Sequence, residues 1–95
     1  MKAHTFMKMV TKSGSHFFTP NAMRFFRSRM EIDAVKVGDG RYMFITSEQF
    51  DEEAPRLYTV RSARLTKSGL WTIDTVGDFQ AYATIDDALA AAMDN

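Results

Sequence analysis

Leu57-Tyr58-Thr59-Val60-Arg61-Ser62-Ala63-Arg64-Leu65-Thr66-Lys67-Ser68-Gly69-Leu70-Trp71-Thr72-Ile73-Asp74-Thr75-Val76 is the stretch whose reading decides the fold. Its first half is rich in β-formers: Leu57, Tyr58, Thr59, Val60 and Leu65. Lys67-Ser68-Gly69 has turn chemistry, and Leu70 to Val76 returns. In the return run Trp71, Ile73 and Thr75 share one face while Thr72 and Asp74 share the other. One face in and one face wet is the antiparallel pattern.

The same reading extends in both directions. Upstream, Ala34-Val35-Lys36-Val37 and Arg41 to Thr46 flank Gly38-Asp39-Gly40, which predicts a hairpin. Glu48 to Ala54, ending at Pro55, reads as an acidic loop. Downstream, Gly77-Asp78 is a turn and Phe79 to Ala83 a short extended piece. Thr84 then caps a helix over Ile85 to Met93. Thr84 and Asp87 stand at capping-box spacing, and Asp86 and Asp87 suit the positive end of the helix dipole. The alanines that fill this helix predict close packing on a sheet.

The N-terminal third predicts a different mixture. Thr5 to Val10 reads as a strand, Lys12-Ser13-Gly14-Ser15 as a turn, and Phe17-Phe18 as a second short extended piece. Thr19 followed by Pro20 is a strong helix start, because proline lacks an N–H that would be orphaned there anyway. The helix is expected to reach Met30 or Ile32. At 100° per residue, Ala22, Met23, Phe26 and Met30 form one core-width stripe, with Arg24 and Arg27 on the far side. Phe25 lies off the stripe, next to Arg29. Two readings stay open for it: packed under a loop against Phe17 or Phe18, or exposed as a binding hot spot flanked by arginine. The expected whole is a single domain, 1–95, of the α+β class. It is an antiparallel β-meander of four to five strands with two helices, in the order β-α-β-β-β-β-α, the helices on one face.

Composition narrows the function. The chain has 95 residues, 45% of them hydrophobic, and no cysteine. Disulfides and thiolate zinc sites are therefore excluded. No apolar run approaches a membrane span and no signal-peptide pattern opens the chain, so a cytoplasmic location is expected. The formal net charge is zero, but residues 1–30 carry Lys2, Lys8, Lys12, Arg24, Arg27 and Arg29 and no acid. All twelve acids and the other six bases fall in residues 31–95. Segments of +6 and −6 describe a polar molecule with a basic side, unless folding places them together.

Catalytic patterns are missing. His4 and His16 are the only imidazoles, and neither a Gly-x-Ser-x-Gly elbow nor a His-Glu metal motif occurs. No catalytic residue, metal ligand or cofactor is expected; Asp51-Glu52-Glu53 reads as a solvated acidic loop rather than a cation site. Binding is the remaining class. Arg24, Phe25, Arg27, Arg29, Lys12 and Phe17 are the candidate partner-binding residues, for a protein or for nucleic acid. The arginines and Lys12 could meet phosphates, and Phe17 or Phe25 could stack on single-stranded bases. No nucleic-acid-binding signature accompanies them. A second basic line, Arg56, Arg61, Arg64 and Lys67, is split between the two faces of its strand and reads as charge protecting a sheet edge.

Four segments carry a resemblance: Phe17-Phe18-Thr19-Pro20 with Met23-Arg24-Phe25-Phe26 and Ser28-Arg29; Tyr42 to Glu48; Arg56 to Arg61; and Thr75 to Thr84. Together they resemble small uncharacterised accessory proteins of bacterial viruses, prophages and plasmids. The resemblance implies a mobile-element protein working in a bacterial cytoplasm, with no functional residues to carry over. The expected function is a non-enzymatic binding module for a host protein, such as a defence-system or host-takeover target. The alternative is nucleic-acid binding through the basic N-terminal third. The +6 and −6 segments and the sheet edges left by so short a chain also allow a homodimer.

Overall fold

The computed structural model describes residues 1–94. It is an α+β fold of three helices and a five-stranded antiparallel sheet. The elements are α1 (Ala3–Lys12), α2 (Pro20–Phe25), β1 (Arg29–Met30), β2 (Val35–Gly38), β3 (Arg41–Glu48), β4 (Leu57–Leu65), β5 (Trp71–Val76) and α3 (Ile85–Met93). The hairpin β4–β5 forms as expected, with Leu65 opposite Trp71 and Val60 opposite Val76. So does β2–β3, closed across Asp39-Gly40 with Gly38 opposite Arg41. The sheet runs β1-β3-β4-β5, and β2 pairs with β3.

Period two assigns the faces. On one face Phe44, Ala63 and Trp71 meet Phe6 and Val10 of α1 and Phe18 of the following loop. Phe6 sits among the rings of Phe18, Tyr42, Phe44 and Trp71, all with centroids within 6.5 Å. On the other face Ile45 and Val60 meet Ala88 of α3, with Leu89, Ala91 and Ala92 packed alongside. The helices therefore cover both faces, not one. Phe44 and Ile45 are adjacent and both buried, which requires a cover on each side of β3.

Residues 3–12 are a helix, not the expected strand. Phe6 and Val10 are four apart and both fully buried, the i, i+4 signature of a helical face. The start signal is not local: Lys2 offers no side-chain cap, and Asp33 instead accepts from the Ala3 amide at 2.8 Å. Met1 and Ala34 exchange backbone hydrogen bonds beside it. Phe17-Phe18 lies in a turn rather than a strand.

The second helix starts as expected, with Thr19 as N-cap and Pro20 at the first helical position. It stops at Phe25 rather than near Met30. Arg27 takes the left-handed conformation, φ 47°. Its amide bonds to the Arg24 carbonyl and the Ser28 amide to the Met23 carbonyl at 2.7 Å. This is a Schellman stop, usually built on glycine. Met23 and Met30 still pack at the α1-side core, but Ala22 is exposed and Phe26 is only half buried.

Candidate binding site

The early stop of α2 creates the site. The reversal at Arg27 brings residues 28–30 back as β1, with Arg29 opposite Ser47 and Met30 opposite Thr46. α2 and its turn are thereby held over one end of the sheet. Arg56 locks the reversal, donating to the Arg27 carbonyl and to Ser47 Oγ, both at 2.9 Å.

The floor is polar. On the face shared with α1, Thr46 pairs with Thr59, and Phe44, Arg61 and Thr75 form the next cross-strand row. Glu48 extends this row of side chains and is 1% exposed. Its carboxylate accepts from the Thr46 hydroxyl, from the Thr59 hydroxyl at 2.6 Å and from Arg61 at 3.3 Å. The Arg61 side chain is 11% exposed. It also donates from Nε to Thr46 Oγ1 at 3.0 Å and from Nη1 to Thr75 Oγ1 at 2.6 Å. A buried charge pair survives desolvation only when its remaining donors and acceptors are satisfied, and the threonine hydroxyls do this for Glu48.

The walls are aromatic. The Arg61 guanidinium lies 5.2 Å from the Phe17 ring centre and 5.5 Å from that of Phe79, within cation–π range of both. Phe26 packs against Phe25, Phe50 and Phe79, with centroids 4.6, 5.2 and 5.5 Å away. Phe25 is 77% exposed, Phe50 61% and Phe79 40%. Phe17, Phe25, Phe26 and Phe79, with Met23 and Ser28, line a depression of about 510 Å³ that also holds Glu48 and Arg61; Phe50 lies outside it, against Phe26.

Backbone strain sits at this same place. Arg27 and Gln80 are the two non-glycine residues with positive φ among the described residues, and each directly follows a phenylalanine of the cluster. Gln80 is held there by its amide on Thr59 Oγ1 at 2.8 Å and its side chain on the Glu48 carbonyl at 2.9 Å. Such conformations persist when surrounding contacts over-determine them, and they concentrate at ligand-binding sites.

Two of the six sequence candidates, Phe17 and Phe25, line the depression and three, Arg24, Arg27 and Arg29, flank its lining in the chain. Phe25 is exposed against Phe26 and is not tucked under Phe17 or Phe18. Lys12 lies elsewhere, beside a separate depression along α1 with His4 and Lys8. Sequence reasoning missed Glu48, Arg61, Phe50 and Phe79. The β4 arginines do not protect an edge, because β4 lies between β3 and β5. A usable signal was present: Thr46, Glu48, Thr59 and Arg61 all fall on the face that carries Phe44 and Trp71, where polar groups need one another as partners. In the acidic loop, Asp51 Oδ1 accepts from the amides of Glu53 and Ala54.

Residues 4–93 match the model of a family of unknown function, DUF7447. The chain belongs to that family. The match runs from the first turn of α1 to the end of α3, so the sheet, both its faces and the aromatic depression all lie inside it. No curated protein matches the chain, and no solved structure matches it. Among the described residues, no helix is long and apolar enough to cross a membrane.

Proposed function

We propose that the chain is a non-enzymatic binding module that docks a protein partner on the aromatic patch of Phe25, Phe26, Phe50 and Phe79. The observation that carries this reading is the exposure of three phenyl rings clustered around a fourth. Exposed aromatics that touch one another, beside arginines, have the composition of an interface hot spot. Their chain neighbours carry both signs: Arg24 and Arg27 next to Phe25 and Phe26, Asp51 next to Phe50, Asp78 next to Phe79. An apolar centre with a mixed-charge surround is the anatomy of a protein interface. A surface that grips phosphates gains nothing from acids beside its aromatics. The mobile-element context that the resemblance implies would make the partner a protein of the bacterial host.

A photo-crosslinking amino acid at position 25 or 50 tests the reading in a bacterial lysate, with position 65 as an exposed control. Crosslinks to the same protein from 25 and 50, and none from 65, are expected. Equal labelling from all three would overturn it. A second reading, single-stranded nucleic acid, is supported by Arg24 and Arg29, whose side chains have no partner among the described residues and which lie near the exposed Phe25 in the chain. Anisotropy of labelled single-stranded DNA and RNA across a salt series distinguishes it, because phosphate binding weakens steeply with salt.

A further inference from the structure

We infer that the depression over Arg61 is a subsite for an acidic peptide segment carrying one large apolar side chain. The inference rests on the proposed protein-docking reading and names the chemistry of the docked segment. Arg61 has five N–H donors, and its protein partners take three: Nε to Thr46, one on Nη1 to Thr75 and one on Nη2 to Glu48. One N–H on each terminal nitrogen has no partner among the described residues. A guanidinium so nearly enclosed, in the lining of a depression about 510 Å³ in volume, leaves two strong donors for an incoming acceptor. The two terminal nitrogens of a guanidinium match the spacing of two carboxylate oxygens.

The charge around the site decides between a neutral and an anionic acceptor. Glu48 already neutralises Arg61, so the pair alone attracts no second anion strongly. The excess comes from Arg24 and Arg27, which stand in the chain between lining residues, and from Arg29, which follows Ser28. None of the three has an acidic partner among the described residues. Arg27 spends one donor on the Phe50 carbonyl at 3.4 Å and still carries its charge. Set against the one acid that flanks a lining residue, Asp78 beside Phe79, these three arginines leave the chain neighbours of the lining with a positive balance beside an apolar wall of Phe17, Phe25, Phe26 and Phe79. A carboxylate beside a phenyl or branched aliphatic group complements both parts, and charge complementarity of this kind sets specificity as well as on-rate.

The test uses three fluorescein-labelled octapeptide pools. The first has Asp or Glu at random around a fixed central Phe. The second replaces the acids with Asn or Gln, and the third replaces the Phe with Ala. Anisotropy against the full chain should show the first pool binding at least about tenfold more tightly than either control. Arg24→Ala/Arg27→Ala and Arg61→Lys should each remove that preference. Lysine keeps the charge opposite Glu48 but lacks the two-pronged donor, and thermal melts confirm that each variant is folded. Equal binding of the acidic and amide pools, sensitive to Phe25→Ala, would overturn the carboxylate assignment and leave the docking patch standing. No binding of the acidic pool would overturn the subsite, and the crosslinking experiment then judges the patch separately. Displacement of the acidic pool by single-stranded DNA or RNA that itself binds more tightly would reassign the subsite to nucleic acid and refute the inference.

Discussion

Replacing Arg61 by Met tests the physical basis of the site directly. Methionine keeps an unbranched apolar stem, but it removes the guanidinium that lies over Phe17 and Phe79 and with it the charge. Among the described residues, Glu48 would then keep only the Thr46 and Thr59 hydroxyls as partners of its side chain, at 1% exposure. Breaking a buried ion pair from one side costs about 3–5 kcal/mol. The two hydroxyls that remain place this variant at the lower end, about 3 kcal/mol. For a domain near this length, that is a fall in melting temperature of about 12–24 °C, at ~4–8 °C per kcal/mol. Glu48→Gln should cost less, about 1–2 kcal/mol, because Arg61 keeps an open side and its two threonine acceptors. The double variant should lose about 1–3 kcal/mol less than the sum, since neither charge is left stranded. Urea unfolding followed by Trp71 fluorescence reads all three, as Trp71 is the single tryptophan and lies in the α1-side core. A midpoint shift worth less than about 1 kcal/mol for Arg61→Met, or strictly additive single variants, would refute the claim that the pair is desolvated and coupled.

Other perturbations separate core from surface. Phe6→Ala should cost about 3–5 kcal/mol in urea unfolding, since its ring is fully buried among four others, whereas Phe25→Ala should stay within about 0.5 kcal/mol. Asp33→Ala removes the remote cap of α1; a loss of about 1 kcal/mol is expected, with faster amide exchange confined to the first turn of that helix. Gly40→Ala should cost about 1–2 kcal/mol or more, because φ is +64° and the added Cβ would stand 3.2 Å from Leu65 Cβ. Gly69→Ala, at φ +88° with open space around it, should cost less in the same melt.

Much of the fold was legible because its signals are local. Period two and Gly-bearing turns mark β2 to β5, and Thr84 with Asp87 marks α3, whose bounds match the expectation. The Thr19-Pro20 start of α2 is of the same kind. Half of the candidate site was legible for the same reason: Phe25 falls off the core stripe of its helix, and the arginines around it share no stripe with the methionines.

What only the tertiary structure decided has a common physical cause: the determining partner is far away in sequence. Residues 3–12 are helical because Asp33, thirty residues on, caps them and Phe44 and Trp71 receive Phe6. α2 ends at Phe25 with no glycine to announce it, since Arg56 and the pairing of β1 with β3 hold Arg27 in a left-handed turn. Helices cover both faces because Phe44 and Ile45 point oppositely, and no local pattern says which helix goes where. The floor of the site joins Glu48 from β3 to Arg61 from β4, a charge pair that forms only when register places Thr46 against Thr59. The sequence by itself determined strands β2 to β5, the caps of α2 and α3 and the place of Phe25 off the core stripe. Long-range pairing determined that a buried guanidinium lines the same depression as Phe25.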